Sequence, residues 1–242
     1  MADHGPTTLV LGASSSFGIE IVRRLHQEGG SIMAHACSSA DRLRDLGMPL
    51  TLLQADLSKQ DQIQRLIEQV KESGKSPDRI VHLAAPAVSN VRFRSLKWED
   101  FQGYMDVQLK PIISILNEFL PVMSQRGRGK IVFVLSSYVL NVPPKFLAHY
   151  ITAKFALLGL MRALASEYAD KMINVNAVSP SMAKTGFLKN IPGMIVDMEM
   201  EKAPHGRLAT PSDVAAAVCF LLSENADYIN GVNIPVAGGT AF

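Results

Sequence analysis

The chain has 242 residues, 48% of them apolar and 19% charged, with 24 basic side chains against 22 acidic ones and a net charge of +2. That length supports one globular domain with a sizeable core. The near balance of charge, with basic residues dispersed apart from the Gly-interrupted stretch Arg126 to Lys130, argues against a nucleic-acid footprint. The longest apolar run, Val214 to Leu222, falls short of the ~18 residues of a membrane span, and the opening MADHGPTT lacks the basic and apolar regions of a signal peptide. A cytoplasmic protein is expected. Cys37 and Cys219 have neither CxxC nor Cys/His ligand spacing and read as small core residues, so neither a disulfide nor a metal site is expected.

Taken in order, a β-branched run at Thr7 to Leu11 predicts a strand. It is followed by a helix after Gly18 with Ile19, Val22 and Leu25 on one stripe and Gly29-Gly30 as its stop. Strands are predicted at Ser31 to Ala36 and Thr51 to Ala55, then a helix opening at Ser58-Lys59-Gln60-Asp61, with serine and aspartate at capping-box spacing. Further strands fall at Arg79 to Leu83 and Lys130 to Leu135, a helix over Tyr150 to Tyr168, and a strand at Asn174 to Val178. A helix with proline at its first position follows at Thr210-Pro211-Ser212-Asp213, then a last strand at Val232 to Val236. Strands as apolar as Ile131-Val132-Phe133-Val134-Leu135 imply burial on both faces, and the helices between them supply parallel crossovers. The fold class is α/β, a single-domain Rossmann-type doubly wound parallel sheet of about seven strands with helices on both faces. Ligands of such sheets bind beyond the carboxyl ends of the strands.

The first such end carries Gly12-Ala13-Ser14-Ser15-Ser16-Phe17-Gly18, a small-residue turn feeding a helix whose free N–H groups and dipole favour a phosphate. Sites that take NAD place an acid near the end of the second strand to hold the ribose hydroxyls. Here that end reads Ala36-Cys37-Ser38-Ser39, with no acid before Asp41. Without a carboxylate to repel a 2′-phosphate, NADP(H) is favoured over NAD(H), with Cys37 and Ser38 on the ribose side and Arg42 as the candidate basic partner.

The catalytic signal follows the fifth strand. Of five tyrosines, only Tyr150 has a lysine, Lys154, four residues on, one helical turn away, and thirteen residues before Tyr150 stands Ser137. A phenol with an ordinary pKa of ~10 exchanges protons poorly near neutral pH, and an adjacent ammonium is expected to lower it. Tyr150 is then the general acid or base, and the Ser137 hydroxyl holds a substrate carbonyl.

With these motifs the chain resembles the short-chain dehydrogenase/reductase family over nearly its whole length, closest in flavour to the beta-ketoacyl reductases. The resemblance rests on the Gly12 to Gly18 turn, Asp56-Leu57 after the third strand, Ser137, Tyr150 and Lys154, and Pro180-Ser181-Met182-Ala183-Lys184-Thr185 after the sixth strand. Pro204-His205-Gly206-Arg207 and the Gly231 to Gly239 segment also match. It implies that Asp56 and Leu57 contact the adenine, Ala84 and Ala85 the adenosine ribose, and Pro180, Ser181, Met182 and Thr185 the nicotinamide side, and that the protein is a homo-oligomer, tetramer or dimer. The chain departs from the family where Leu11 replaces threonine, Ser16 the middle glycine, His82-Leu83-Ala84-Ala85 an Asn-Asn-Ala-Gly segment, Ser181 a glycine, and Gln108 the asparagine of the proton relay.

Residues 186–207, with Phe187, Leu188, Ile191, Met194, Ile195, Met198 and Met200, suit a lid over an apolar acyl or aromatic chain. A 3-oxoacyl thioester, carried on coenzyme A or on an acyl carrier protein received by Arg126, Arg128 and Lys130, is the expected substrate. Two other readings remain. One is an alcohol or sugar dehydrogenase of the same family, and the other a catalytically impaired member serving as a subunit of a hetero-oligomer.

Overall fold

The structure, a computed structural model, describes residues 5–185 and 193–241. In chain order the elements are β1 (Thr7–Leu11), α1 (Ser16–Gln27), β2 (Ser31–Ala36), α2 (Asp41–Arg44), β3 (Thr51–Gln54), α3 (Gln60–Glu72) and β4 (Arg79–His82). There follow α4 (Trp98–Gln108), α5 (Lys110–Arg126), β5 (Gly129–Val134), α6 (Ala148–Glu167), β6 (Ile173–Pro180), α7 (Gly193–Lys202), α8 (Pro211–Leu222) and β7 (Asn233–Val236). The seven strands form one parallel sheet in the order β3-β2-β1-β4-β5-β6-β7, so the chain reverses direction across the sheet between β1 and β4. This is the doubly wound α/β fold, and the reversal opens a crevice at the carboxyl edge.

Alternation along each strand divides the core. Leu9 and Leu11 of β1, Ile80 of β4 and Ile131 and Phe133 of β5 face α3, α5 and α6, where Ile63, Leu66, Ile115, Leu157 and Met161 are buried. Val10, Val81, Val132 and Val134 face the other way, onto Ile21, Val22 and Leu25 of α1 and Val214 and Val218 of α8. Both faces of the central strands are therefore dry, as their continuous apolar runs require. Proline is tolerated in β7 at Pro235 because β7 is an edge strand.

Local chemistry sets the helix ends, and two expectations are corrected. Helix α1 starts at Ser16 rather than after Gly18, because the Ser15 side chain accepts the Gly18 N–H at 3.1 Å and caps it. Its far end closes at Glu28, with Gly29 at φ 83° just beyond. Helix α3 lacks the expected capping box. The Ser58 hydroxyl instead donates to Asp56 Oδ1 at 2.8 Å, which leaves Lys59 at the N-cap without a side-chain bond. The box at Thr210 and Asp213 does form, each side chain accepting the other's backbone N–H. Cys219 is buried as expected, but Cys37 is exposed, since β2 ends one residue before it.

Two histidines lie inside the sheet. His35 of β2 accepts the Gly12 N–H on Nδ1 (3.1 Å) and donates from Nε2 to the Ala55 carbonyl (2.9 Å), fastening the turn after β1 to the start of the connection after β3. His82 at the end of β4 donates from Nε2 to the Gln108 carbonyl at 2.7 Å. Burial holds both neutral, lowering His35 and pulling His82 down to about 3. The unfolded chain protonates these imidazoles near pH ~6.5 and the native one does not, so their contribution is present above that pH and is lost as pH falls toward the folded value. Between pH 7 and 5 the His82 shift alone removes about 2 kcal/mol of unfolding free energy, at about 1.4 kcal/mol per unit. Urea titrations of the wild type and of His82→Asn check this, the variant showing the shallower pH dependence.

Candidate active site

The carboxyl edge carries a cleft of about 440 Å³ whose wall is mainly apolar. It runs from the start of α1 (Ser15, Ser16, Phe17), past Leu83, Ala85, Pro86 and Val88 after β4, to Ser136 and Tyr138 after β5, Tyr150 and Lys154 on α6, and Pro180, Ser181, Met182, Ala183 and Thr185 after β6. The strand ends thus deliver into one space residues that lie up to 170 positions apart in sequence.

At its α1 end the cleft meets a helix N-terminus. Gly12 has φ 90°, and a Cβ there would lie 2.9 Å from the Ala84 nitrogen; a Cβ on Gly18 would lie 2.5 Å from the Ala13 carbonyl oxygen. Both glycines let the turn fold tightly under the helix, and neither forms the wall. Ser16 needs no such freedom, being the first residue of α1 and part of the cleft wall. A close backbone approach capped by free N–H groups fits a pyrophosphate. Arg42 also lines the cleft and donates to the Ser14 carbonyl at 2.7 Å, while the neighbouring Asp41 carboxylate is engaged by Arg44 (2.7 Å) and Ser39 (2.6 Å). No carboxylate forms the wall at this end.

At its other end stand Tyr150 and Lys154. Lys154 is 3% exposed, donates to the Val134 carbonyl at 2.9 Å, and has its ammonium 5.8 Å from the centre of the Tyr150 ring. Burial pulls its pKa down to about 7. Burial also pushes the Tyr150 phenol up to about 12, with a hydrogen bond from the Ser136 hydroxyl working the other way. The lowering expected from the adjacent lysine is therefore overridden by desolvation, and the phenol stands protonated at neutral pH.

The serine at the cleft is Ser136, which corrects the choice of Ser137. Ser136 ends the extended run with φ −162° and ψ 147°, and its side chain accepts the Tyr138 N–H at 3.3 Å as the cap of a 3-10 turn. Ser137, the first residue of that turn, is equally buried but lies outside the cleft wall and is not the hydroxyl bonded to Tyr150. A count of thirteen residues measures chain length, whereas the last residue of the extended run decides which hydroxyl points at α6.

The remaining expected residues divide. Ser15, Ser16, Phe17, Ala85, Pro180, Ser181, Met182 and Thr185 form the wall together with Tyr150 and Lys154; Gly12, Ser14, Gly18, Cys37, Ser38, Asp56 and Ala84 do not line it. Leu57, at 2% exposure, belongs to the core, so its side chain is not available to an adenine. Gln108 lies behind the cleft, fully buried, its amide nitrogen and oxygen without hydrogen-bond partners among the described residues. Its carbonyl is taken by His82, whose imidazole is in turn held neutral partly by the Lys154 charge. Ala183, within the expected Ser181 to Thr185 stretch, also lines the cleft, whereas the sequence reading missed Leu83, Pro86, Val88, Val134, Leu135 and Tyr138; only their position at or just after a strand end could have marked them.

Of the expected lid, residues 186–192, with Phe187, Leu188 and Ile191, lie outside the described residues. Helix α7 exposes Met194 (75%) and Met198 (48%), and the ends of the excursion are tied where Lys184 donates to the Ala209 carbonyl at 2.8 Å. Arg126 and Arg128 both pair with Asp78 at 3.3 Å and Lys130 pairs with Asp227 at 2.6 Å, all beside the amino end of β5. The basic stretch expected to receive a carrier is thus at the sheet edge opposite the cleft and engaged in ion pairs, both arginines sharing Asp78.

The family model described as enoyl-(acyl carrier protein) reductase matches residues 12–241. The chain belongs to the short-chain dehydrogenase/reductase family. Among curated short-chain reductases it is 31% identical over 239 residues to the 3-oxoacyl-[acyl-carrier-protein] reductase of Rickettsia prowazekii (97% of this chain, 96% of that one). It is 28% identical over 240 residues to that of Staphylococcus epidermidis (96% and 98%). Among solved structures it superposes with TM-score 0.90 at 25% identity on a Brucella melitensis 3-ketoacyl-(acyl-carrier-protein) reductase complexed with NADH, covering 100% of both chains. An Agrobacterium tumefaciens protein described provisionally as a gluconate dehydrogenase gives 0.88 at 26% identity, covering 97% and 95%. Members of this family are nicotinamide-dependent oxidoreductases, and the cleft, with its phosphate-suited turn at one end and Tyr150 at the other, fits such a cofactor. Among the described residues no helix is long and apolar enough to cross a membrane.

If Ser136 is the hydroxyl that meets substrate, Ser136→Ala lowers kcat/KM for carbonyl reduction by about 100-fold, the scale of a lost carbonyl-orienting hydrogen bond. Ser137→Ala stays within about threefold. Steady-state kinetics on both variants, with nicotinamide binding measured alongside, check this assignment.

Proposed function

We propose that this protein is an NADPH-dependent ketoreductase that converts the 3-oxo group of an acyl thioester to a secondary alcohol. The observation that carries the reading is the Tyr150 phenol, kept protonated by burial beside a second hydroxyl, Ser136, in a mainly apolar cleft. A protonated donor is the form that reduction of a ketone needs, and the apolar wall suits an acyl chain. The names of the Rickettsia, Staphylococcus and Brucella relatives support the same substrate class.

When bound, the reduced nicotinamide supplies hydride to the carbonyl carbon. The Ser136 hydroxyl donates to the carbonyl oxygen and orients it. Tyr150 gives its proton to that oxygen as negative charge develops there, and the phenolate left behind is stabilised by the Lys154 ammonium. Lys154 is charged below its pKa of about 7 and neutral above it, so the charge that stabilises the phenolate is present below that value and lost above it. The same groups run backwards for alcohol oxidation, which the Agrobacterium neighbour's description makes the alternative. For the cofactor, Arg42 in the wall and the absence of a wall carboxylate at that end support NADPH, its 2′-phosphate meeting the guanidinium.

Titrating nicotinamide fluorescence with NADPH and with NADH tests the reading. The expected result is preference for NADPH of at least about tenfold, abolished in Arg42→Ala, followed by NADPH-dependent reduction of 3-oxoacyl thioesters and not of the corresponding 2-enoyl thioesters. Preference for NADH overturns the cofactor assignment and moves weight to the oxidative dehydrogenase; binding of neither favours the impaired subunit. The pH profile of kcat/KM for reduction should fall above a midpoint near the Lys154 value of about 7.

A further inference from the structure

Outside the cleft, a run of basic side chains lies at its mouth, ahead of Glu99 and Asp100 in the first turn of α4. Two loops flank the entrance, residues 86–97 after β4 and residues 138–147 ahead of α6. Together they hold Arg92, Arg94, Lys97 and Lys145 and no aspartate or glutamate, in a chain whose total charge is only +2. Arg92, Arg94 and Lys145 are exposed and form no ion pair among the described residues, unlike Arg126, Arg128 and Lys130 at the opposite edge.

The loops form one built surface. The Val91 N–H donates to the Phe146 carbonyl at 2.9 Å, and the Arg92 guanidinium sits 5.9 Å from the centre of the Phe146 ring. Phe146 holds φ 73°, an uncommon conformation for a large side chain that persists only when its surroundings fix it. Three apolar side chains stand out of the same surface, Phe93 at 72% exposure, Val142 at 93% and Phe146 at 46%. Apolar anchors ringed by unpaired cations are what an acidic, partly apolar protein face meets. The surface also opens on the chemistry, because Pro86 and Val88 of the first loop and Tyr138 of the second are cleft wall. The other flank has the opposite sign: α7 carries Asp197, Glu199 and Glu201 against Lys202, and the Glu199 charge, after burial, helps to raise the Tyr138 phenol.

We propose that the rim formed by Arg92, Phe93, Arg94, Val142, Lys145 and Phe146 is the docking surface for an acidic carrier protein that presents the thioester to the cleft. The proposal rests on the ketoreductase reading and adds to it where the carrier sits and which way it faces. Attraction to the basic rim and repulsion by α7 orient the carrier so that its tethered acyl chain enters between the loops and α7.

The test compares one 3-oxoacyl group on two carriers, an acidic acyl carrier protein and the small uncharged N-acetylcysteamine. The variants are Arg94→Glu/Lys145→Glu and, as a control of equal charge change, Arg126→Glu/Arg128→Glu. The rim variant is expected to raise KM for the carrier-bound substrate at least tenfold, with kcat on that substrate and kcat/KM on the small thioester within about twofold of wild type. The control variant leaves both substrates within about twofold. Raising salt from about 50 to about 300 mM should weaken the wild type on the carrier-bound substrate and not on the small one. An unchanged KM in the rim variant overturns the proposal, as does an equal loss on both substrates or an equal loss in the control. An equal loss on a coenzyme A thioester also overturns it, since the rim would then read a phosphate and not a protein. If the wild type reduces neither thioester, the ketoreductase reading fails. Fluorescence anisotropy of the labelled acyl carrier protein then decides the surface alone: binding lost in the rim variant sustains it, and no binding to wild type overturns it.

Discussion

Desolvation of Tyr150 and Lys154 at the carboxyl end of β5 is the constraint on which the site depends. A lysine at 3% exposure would be costly in a bare apolar core; here its ammonium donates to the carbonyl of Val134, the last residue of β5, one residue past the end of its pairing with β4. The same dryness raises the phenol and lowers the amine, so their proton affinities are set by where the sheet puts α6 and not by the i, i+4 spacing alone. Phe133 of β5 packs in one core cluster with Leu157 and Met161 along α6 and holds that helix against the sheet.

The cofactor end follows from the same sheet. Reversal of strand order between β1 and β4 leaves the ends of both strands facing a shared crevice, and Ala84 passes so close to Gly12 that only a residue without a Cβ fits the turn. His35 ties that turn down from the neighbouring strand, with a neutral ring accepting from Gly12 and donating to Ala55. Protonating that ring would set a donor against the Gly12 N–H, so geometry of the turn and protonation of His35 are linked.

Much of this was legible in the sequence because it follows from period and spacing. Short apolar runs placed all seven strands to within a residue or two, and in the central strands β1, β4, β5 and β6 two-sided burial accounts for the continuous apolar composition. Tyr150 and Lys154 were legible because helical geometry fixes the relation of residues four apart. Ser136 was not, because the choice between two adjacent serines depends on where the extended run gives way to the 3-10 turn, which a residue count cannot see. Nor was the fate of Ser58, where a cap competes with the nearer carboxylate of Asp56. The rim of the cleft was missed for a different reason: Arg92 and Lys145 are 53 positions apart, and only folding unites them.

The central claim is that Tyr150 delivers the proton that completes carbonyl reduction. Its most direct test is stopped-flow oxidation of NADPH by a 3-oxoacyl thioester on wild type and Tyr150→Phe, with cofactor affinity measured on both. The account predicts a loss of about 1,000-fold or more in the single-turnover rate with NADPH affinity within about threefold. Turnover of Tyr150→Phe within a few-fold of wild type would contradict it.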